Sequence, residues 1–201
     1  MAFVVWISRK KPLELVEAIL VDDISREVAT AIEELWAEDR RRAKLRISSA
    51  GGPSPESLDW NWARKLEDAE QTPMQCFGLQ CEHAYQGLMM LNLSRLPARL
   101  KDSSSILYVE YLEVAPWNQV AFVGDQARFS GVGSTLIWAA ALVSKQKGLG
   151  GCLGLHSLPQ ARTFYLRLGF TDGGPDEAEE GLHYMELSAK PAAMLLKEEP
   201  A

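Results

Sequence analysis

No stretch of this sequence approaches the roughly 18–20 consecutive apolar residues that a membrane-spanning helix needs. A membrane is therefore not an expected partner. The order of a secretory signal is also missing. The apolar run Ala2 to Ile7 comes first and Arg9, Lys10 and Lys11 follow, the reverse of basic-then-apolar, so the run reads as a short strand. Cysteine is scarce: Cys76, Cys81 and Cys152 are an odd number with no metal-ligand spacing. Neither a disulfide scaffold nor a metal site is expected, and the thiols read as small buried hydrophobes in a reducing cytoplasm. Positive charge is in deficit, with 21 Lys and Arg against 27 Asp and Glu and a net charge of -6. That balance argues against nucleic acid as a partner and favours solubility. The one basic run, Arg40-Arg41-Arg42 with Lys44 and Arg46, is expected where a helix ends, since cations complement the macrodipole there. Contact with an acidic partner or with a cosubstrate's phosphate is the alternative reading.

What is present suits one domain. The 201 residues are 47% hydrophobic and 24% charged, enough for a sizeable core. We expect a single unit over 1–190 and a loose tail over 191–201. Val16 to Val21 reads as a buried strand, and Ile24, Val28, Ala31, Ile32, Leu35 and Trp36 recur at helical spacing. Ser48 to Ser57, rich in Gly, Pro and Ser, is a loop, and Leu58, Trp62 and Leu66 mark a second helix. Strands follow at Gln75–Cys81 and Leu88–Leu93, joined near Tyr85-Gln86-Gly87, and then at Ser105–Val114, which Pro116 ends. Gly131–Lys147 reads as a helix, Cys152–Leu155 as a strand, Pro159–Leu168 as a helix closed by Gly169, and Leu182–Leu187 as a last strand. The order β-α-α-β-β-β-α-β-α-β indicates an α/β or α+β domain with a mixed sheet.

The chemistry concentrates in Arg128-Phe129-Ser130-Gly131-Val132-Gly133-Ser134, which opens a helix. A helix start offers unpaired N–H groups and the positive end of the dipole to an anion. Gly131 and Gly133 let a phosphate approach the backbone, and Arg128 adds a guanidinium donor. The run is neither a dinucleotide fingerprint, since position 136 is Leu, nor a Walker loop, since Ser134 follows Gly133 without a lysine.

Arg-x-x-Gly-x-Gly, preceded by Leu112, Val114 and Pro116 and followed by Phe164-Tyr165-Leu166-Arg167-Leu168-Gly169-Phe170, resembles the GNAT superfamily of acetyl-CoA-dependent N-acetyltransferases. The resemblance implies a mixed, mostly antiparallel central sheet flanked by helices, acetyl-CoA as cosubstrate, and an amine-bearing small molecule or peptide as acceptor. It implies that Phe129, Ser130, Gly131, Val132, Gly133 and Ser134 give backbone N–H groups to the CoA pyrophosphate, with Arg128 at the motif's first position. Leu112, Glu113 and Val114 would hydrogen-bond the pantetheine as a pseudo-strand. The Val114 N–H would polarise the thioester carbonyl, and Tyr165 stands where the general acid is expected. A relative's asparagine is here Leu158, so Ser157 is the substitute candidate for that CoA contact.

The base stays open among three residues. Strand alternation sets Glu110 with Leu112 and Val114, and Glu113 with Tyr111 on the other face, so only one glutamate faces the acceptor without a bulge. His156, at a strand end, is the third, since an imidazole is the side chain suited to proton transfer near neutrality. Trp60 lies off the second helix's apolar stripe and is a candidate wall of the acceptor pocket, whereas Trp62 fits the stripe. A catalytically silent CoA-binding module is the competing function. Val4, Val5 and Trp6 fit a sheet edge or a homodimer contact.

Overall fold

The computed structural model describes residues 2–49, 55–100 and 105–197. The middle of the expected 48–57 loop and residues 198–201 of the expected tail lie outside them.

The chain opens with an antiparallel hairpin, β1 (Ala2–Lys10) and β2 (Leu13–Asp22). Val5, Ile7, Ala18 and Leu20 face the core, while Val4, Trp6, Leu15 and Ile19 face outward, the two-residue alternation of a strand. Helix α1 (Arg26–Ser49) buries Ala29, Ile32, Trp36, Arg40 and Ala43, one stripe at three- and four-residue steps. It continues nine residues past Arg40, and of the basic run only Arg46 lies in its last turn. Arg40 is therefore mid-helix and buried rather than at a helix end. Helix α2 (Trp62–Ala69) is capped by Asn61, whose side chain accepts from the Arg64 N–H at 2.8 Å.

Strands β3 (Met74–Cys81) and β4 (Ala84–Pro97) form the next hairpin. Its turn is Glu82-His83, at φ 50° and 64°, not Tyr85-Gln86-Gly87. A two-residue turn of this hand is usually Asn-Gly or Asp-Gly, so the sequence carries no signal for it. Gln86 is instead a bulge, where the register passes from Leu79–Gly87 to Gln80–Tyr85. After β5 (Ser105–Val114) come the short α3 (Val120–Val123), β6 (Phe129–Ser130), α4 (Val132–Gln146), β7 (Leu153–Ser157) and α5 (Arg162–Arg167). β8 (Thr171–Asp176), β9 (Leu182–Leu187) and α6 (Ala189–Leu195) complete the chain.

The strands form one mixed sheet in the order β6-β1-β2-β3-β4-β5-β7-β9-β8, antiparallel except at β5–β7. The expected α/β class and mostly antiparallel sheet hold. The element order gains strands and helices that the pattern did not show. β8, Thr-Asp-Gly-Gly-Pro-Asp, has the composition strands avoid, and it forms only at the sheet's edge, where Pro175 has a side that need not donate. Residues 191–195, expected as the start of a loose tail, lie in helix α6. Ala192 is fully buried beside Gly151, where an added Cβ would come within 2.9 Å of it.

Two apolar layers sandwich the sheet. α4 and α5 cover one face over Leu79, Met89, Leu107, Val109 and Leu155. α1 and α2 cover the other over Cys76, Leu88, Met90 and Trp117. Cys76 and Cys81 lie in opposite layers, and the three cysteines are buried and form no disulfide among the described residues.

Candidate active site

The sheet splits at its centre. β5 and β7 pair only at Leu107–Leu153, Tyr108–Gly154 and Val109–Leu155, and residues 110–114 then keep β4 on one side with no strand on the other. The β4–β5 register passes from Met90–Tyr111 to Leu91–Val109, so Glu110 is an extra residue, a bulge. It resets the alternation: Leu107, Val109, Leu112 and Val114 all face the α4 layer, whereas Tyr111 faces the α1–α2 layer. The expected grouping of Glu110 with Leu112 and Val114 is thus corrected, because a bulge was needed and is present. The Ala115 N–H donates to the Gln86 carbonyl at 2.8 Å. Alternation from there turns the amides of Leu112 and Val114 toward the gap.

On one side of the gap, a cavity of about 260 Å³ runs between residues 112–114 and Ser130–Gly133, with Phe164 and Tyr165 on its wall. Gly131 enters α4 at φ 86°, which glycine tolerates. The Thr135 N–H donates to the Gly131 carbonyl at 2.9 Å, so the N–H groups of Val132, Gly133 and Ser134 precede the first intrahelical bond. Gly133 packs closely: an added Cβ would lie 3.2 Å from the Phe164 ring.

Three expected cofactor contacts do not reach this cavity. The Phe129 N–H is engaged by Asn118 Oδ1 at 3.0 Å, although its ring lines the wall. Arg128 is exposed, with its guanidinium 5.0 Å from the Trp117 ring centre, and borders a separate depression beside Arg9 and Lys11. Ser157 is buried, and its hydroxyl donates to the Leu158 carbonyl at 2.9 Å; Leu158 itself lines the cavity.

Across the gap lies a second cavity of about 360 Å³, lined among others by Trp60, Tyr108, Glu110, Tyr111, His156 and Tyr165. Tyr165 borders both cavities and is 7% exposed. Its hydroxyl makes no hydrogen bond among the described residues, and burial alone drives its pKa well above the ordinary tyrosine value. His156 bridges Tyr108 and Asp176: Nδ1 is hydrogen-bonded to the Tyr108 hydroxyl, and Nε2 lies 3.1 Å from Asp176 Oδ2. A proton on Nε2 satisfies both contacts, with Tyr108 as donor and Asp176 as acceptor. Glu110 is half-buried, and burial raises its pKa. Glu179 adds to the rise, while Asn92, donating from Nδ2 at 3.3 Å, opposes it.

Glu113 turns away from both cavities' chemistry. Its Oε2 accepts from Arg40 Nη2 at 2.7 Å and from Trp62 Nε1 at 2.6 Å. Oε1 is buried without a partner among the described residues. Burial pushes its pKa up to about 7 against the pull of the Arg40 guanidinium. Glu33 closes the network, accepting from Arg40 Nη1 at 2.5 Å and from the Trp62 N–H at 2.7 Å. By the alternation that turns Leu112 and Val114 to the gap, the N–H and carbonyl of Glu113 face β4, so the expected pantetheine contact of Glu113 is corrected: neither its side chain nor its backbone is turned to the gap. Trp62 is fully buried, and Trp60 borders the second cavity with its ring centre 5.2 Å from that of Tyr111.

Sequence reasoning missed Tyr108, Glu179 and Glu180 at the second cavity, and Asp176 as the partner of His156. Tyr108 shares a face with Glu110 by plain alternation but reads as one more β-former in the run 105–114, and the run Glu177 to Glu180 reads as a solvated loop. Among the described residues no cluster of His, Cys, Asp and Glu is placed to hold a metal, and no helix is long and apolar enough to cross a membrane.

No protein-family model and no curated protein matches the sequence. Solved structures do match the fold. One is PaiA N-acetyltransferase from Thermoplasma acidophilum in complex with coenzyme A, at 18% identity and TM-score 0.52, covering 84% of this chain and 98% of that one. Another is a GNAT-family acetyltransferase from Listeria monocytogenes, at 15% identity and TM-score 0.53, covering 86% and 95%. A GNAT-family protein from Desulfovibrio desulfuricans matches at 17% identity and TM-score 0.54, covering 86% and 99%. The chain has a GNAT-like fold.

Proposed function

We propose that this GNAT-like chain is an acetyl-CoA-dependent N-acetyltransferase that passes the acetyl group directly to a primary amine. The gap opened by the Glu110 bulge carries the reading, because it joins two cavities of different character at one unpartnered tyrosine hydroxyl. The first cavity fits the cosubstrate. Helix-start amides of Val132, Gly133 and Ser134 suit a pyrophosphate, and the gap-facing backbone of Leu112 and Val114 suits an extended amide chain. The thioester supplies the activated acyl carbon.

The residues of this chain do the rest. The Val114 N–H steadies the carbonyl oxygen as charge builds on it. Glu110 holds the amine in the second cavity and takes its proton, for which a raised carboxyl pKa is suited. The amine nitrogen then forms a C–N bond as the C–S bond breaks. Tyr165 gives its hydroxyl proton to the departing thiolate and recovers one from solvent. His156, clamped between Tyr108 and Asp176, orients the Tyr108 hydroxyl on the cavity wall.

Calorimetric titration with acetyl-CoA tests the cosubstrate assignment, alongside Gly133→Val, which crowds Phe164 and the helix start. Micromolar binding that the variant loses, followed by amine-dependent thiol release, supports the reading. Binding without transfer to any amine leaves a silent CoA-binding module, and no binding by folded wild-type protein refutes both.

A further inference from the structure

The second cavity is lined by three carboxylates, Glu110, Glu179 and Glu180, and by no lysine or arginine. Neighbouring acids are neutralised: Asp172 is ion-paired with Arg162, and Asp176 with Arg99. Glu179 and Glu180 make no ion pair among the described residues. Glu180 is also held at φ 55°, a backbone region that side chains other than glycine's disfavour. Lys65 does not answer these charges, because it stacks on Tyr111 and Trp60 and borders a different groove.

The Tyr165 hydroxyl is a second and independent sign of a ligand. Its residue is 7% exposed, the hydroxyl has no hydrogen-bond partner among the described residues, and Tyr165 stands on the wall of this same cavity. A volume of about 360 Å³ suits a small molecule, and the Tyr108 ring on its wall, which Lys65 does not cover, suits a cation.

We infer that the acceptor is a small aliphatic di- or polyamine. One nitrogen lies between Glu110 and Tyr165, where it is acylated, and a second ammonium is held by Glu179 and Glu180. The inference rests on the acyl-transfer reading above and specifies its acceptor. Glu179 and Glu180 act on selectivity, since they hold the end of the acceptor that does not react.

The test is calorimetric titration of the CoA-loaded protein with terminal diaminobutane and, separately, with butylamine, which has the same chain length and one charge fewer. The diamine should bind at least about tenfold more tightly, a gap that one further charge pairing at a partly exposed site can supply. Raising the salt concentration should narrow the gap, because the second ammonium is screened. The double variant Glu179→Gln, Glu180→Gln should remove the preference, with its fold checked by circular dichroism. Equal affinity for the two amines, a preference that salt and the double variant leave intact, or tighter binding of a lysine peptide than of the diamine overturns the inference. In those cases acetyl-CoA binding still stands as support for the transferase. Absence of acetyl-CoA binding instead removes the transfer reading, and this inference with it.

Discussion

Replacing Arg40 with methionine removes the only cation bonded, among the described residues, to the buried Glu113 carboxylate and keeps most of the side chain's apolar volume. The structure sets the magnitude. Both charges are almost wholly buried, with side chains 8% and 1% exposed, and breaking such a pair from one side costs about 3–5 kcal/mol because a lone charge is left inside. The loss should depend on pH. Glu113 titrates at about 7 in the fold against an ordinary 4.5. Its contribution is therefore fully present below 4.5 and is lost as pH rises through about 7. Burial and the nearby Glu33 raise that pKa, while Arg40 and the Trp62 N–H lower it. Without Arg40 the pKa climbs further, so the variant should be about 3–5 kcal/mol less stable near pH 8.5. Near pH 5.5 a protonated Glu113 can keep its bond to Trp62, and the loss should shrink to about 1–2 kcal/mol. Urea unfolding at the two pH values measures both, and adding Glu113→Gln should restore much of the alkaline loss. Equal destabilisation at both pH values, or a loss below about 1 kcal/mol at the higher one, would refute the account of a buried charge pair.

Tyr165→Phe should keep the fold and acetyl-CoA binding while lowering kcat for amine acetylation by about a hundredfold or more, the usual worth of a general acid. Thiol release under saturating substrates measures it, and an unchanged rate removes Tyr165 from proton transfer. Cys76 should be silent to thiol reagents in the native protein, since burial pushes its thiol up to about 12. Colorimetric titration in buffer and in denaturant checks this, and rapid native labelling of Cys76 would contradict its placement in the core.

Periodicity carried the long elements well. The stripe of α1, the β-branched run of β5 and the glycines opening α4 all sit where local sequence places them. What escaped was decided by partners distant in the chain. β8 exists because β9 offers it a ladder, and α6 because Ala192 fits against Gly151. The Glu82-His83 turn takes positive φ without glycine or asparagine, so no local residue announces it. At the site, the glycine loop and Tyr165 were legible from motif and spacing. The destination of Arg40 was not, because nothing in a basic run tells that one arginine has a buried glutamate 73 positions away. The carboxylates of 179 and 180 were likewise invisible as a lining, since only the sheet's final hairpin carries them to Glu110.

The bulge at Glu110 also bears on how this protein can become more stable. Residues on either side of it already alternate correctly: with position 110 removed, Val109 and Leu112 would keep the face they occupy now. The ladder would run unbroken and the opening beside β7 would lose its cause. Sheet continuity and access to the gap thus compete for a single residue. Selection for thermal endurance alone would favour a chain one residue shorter, and that chain would have less room to work.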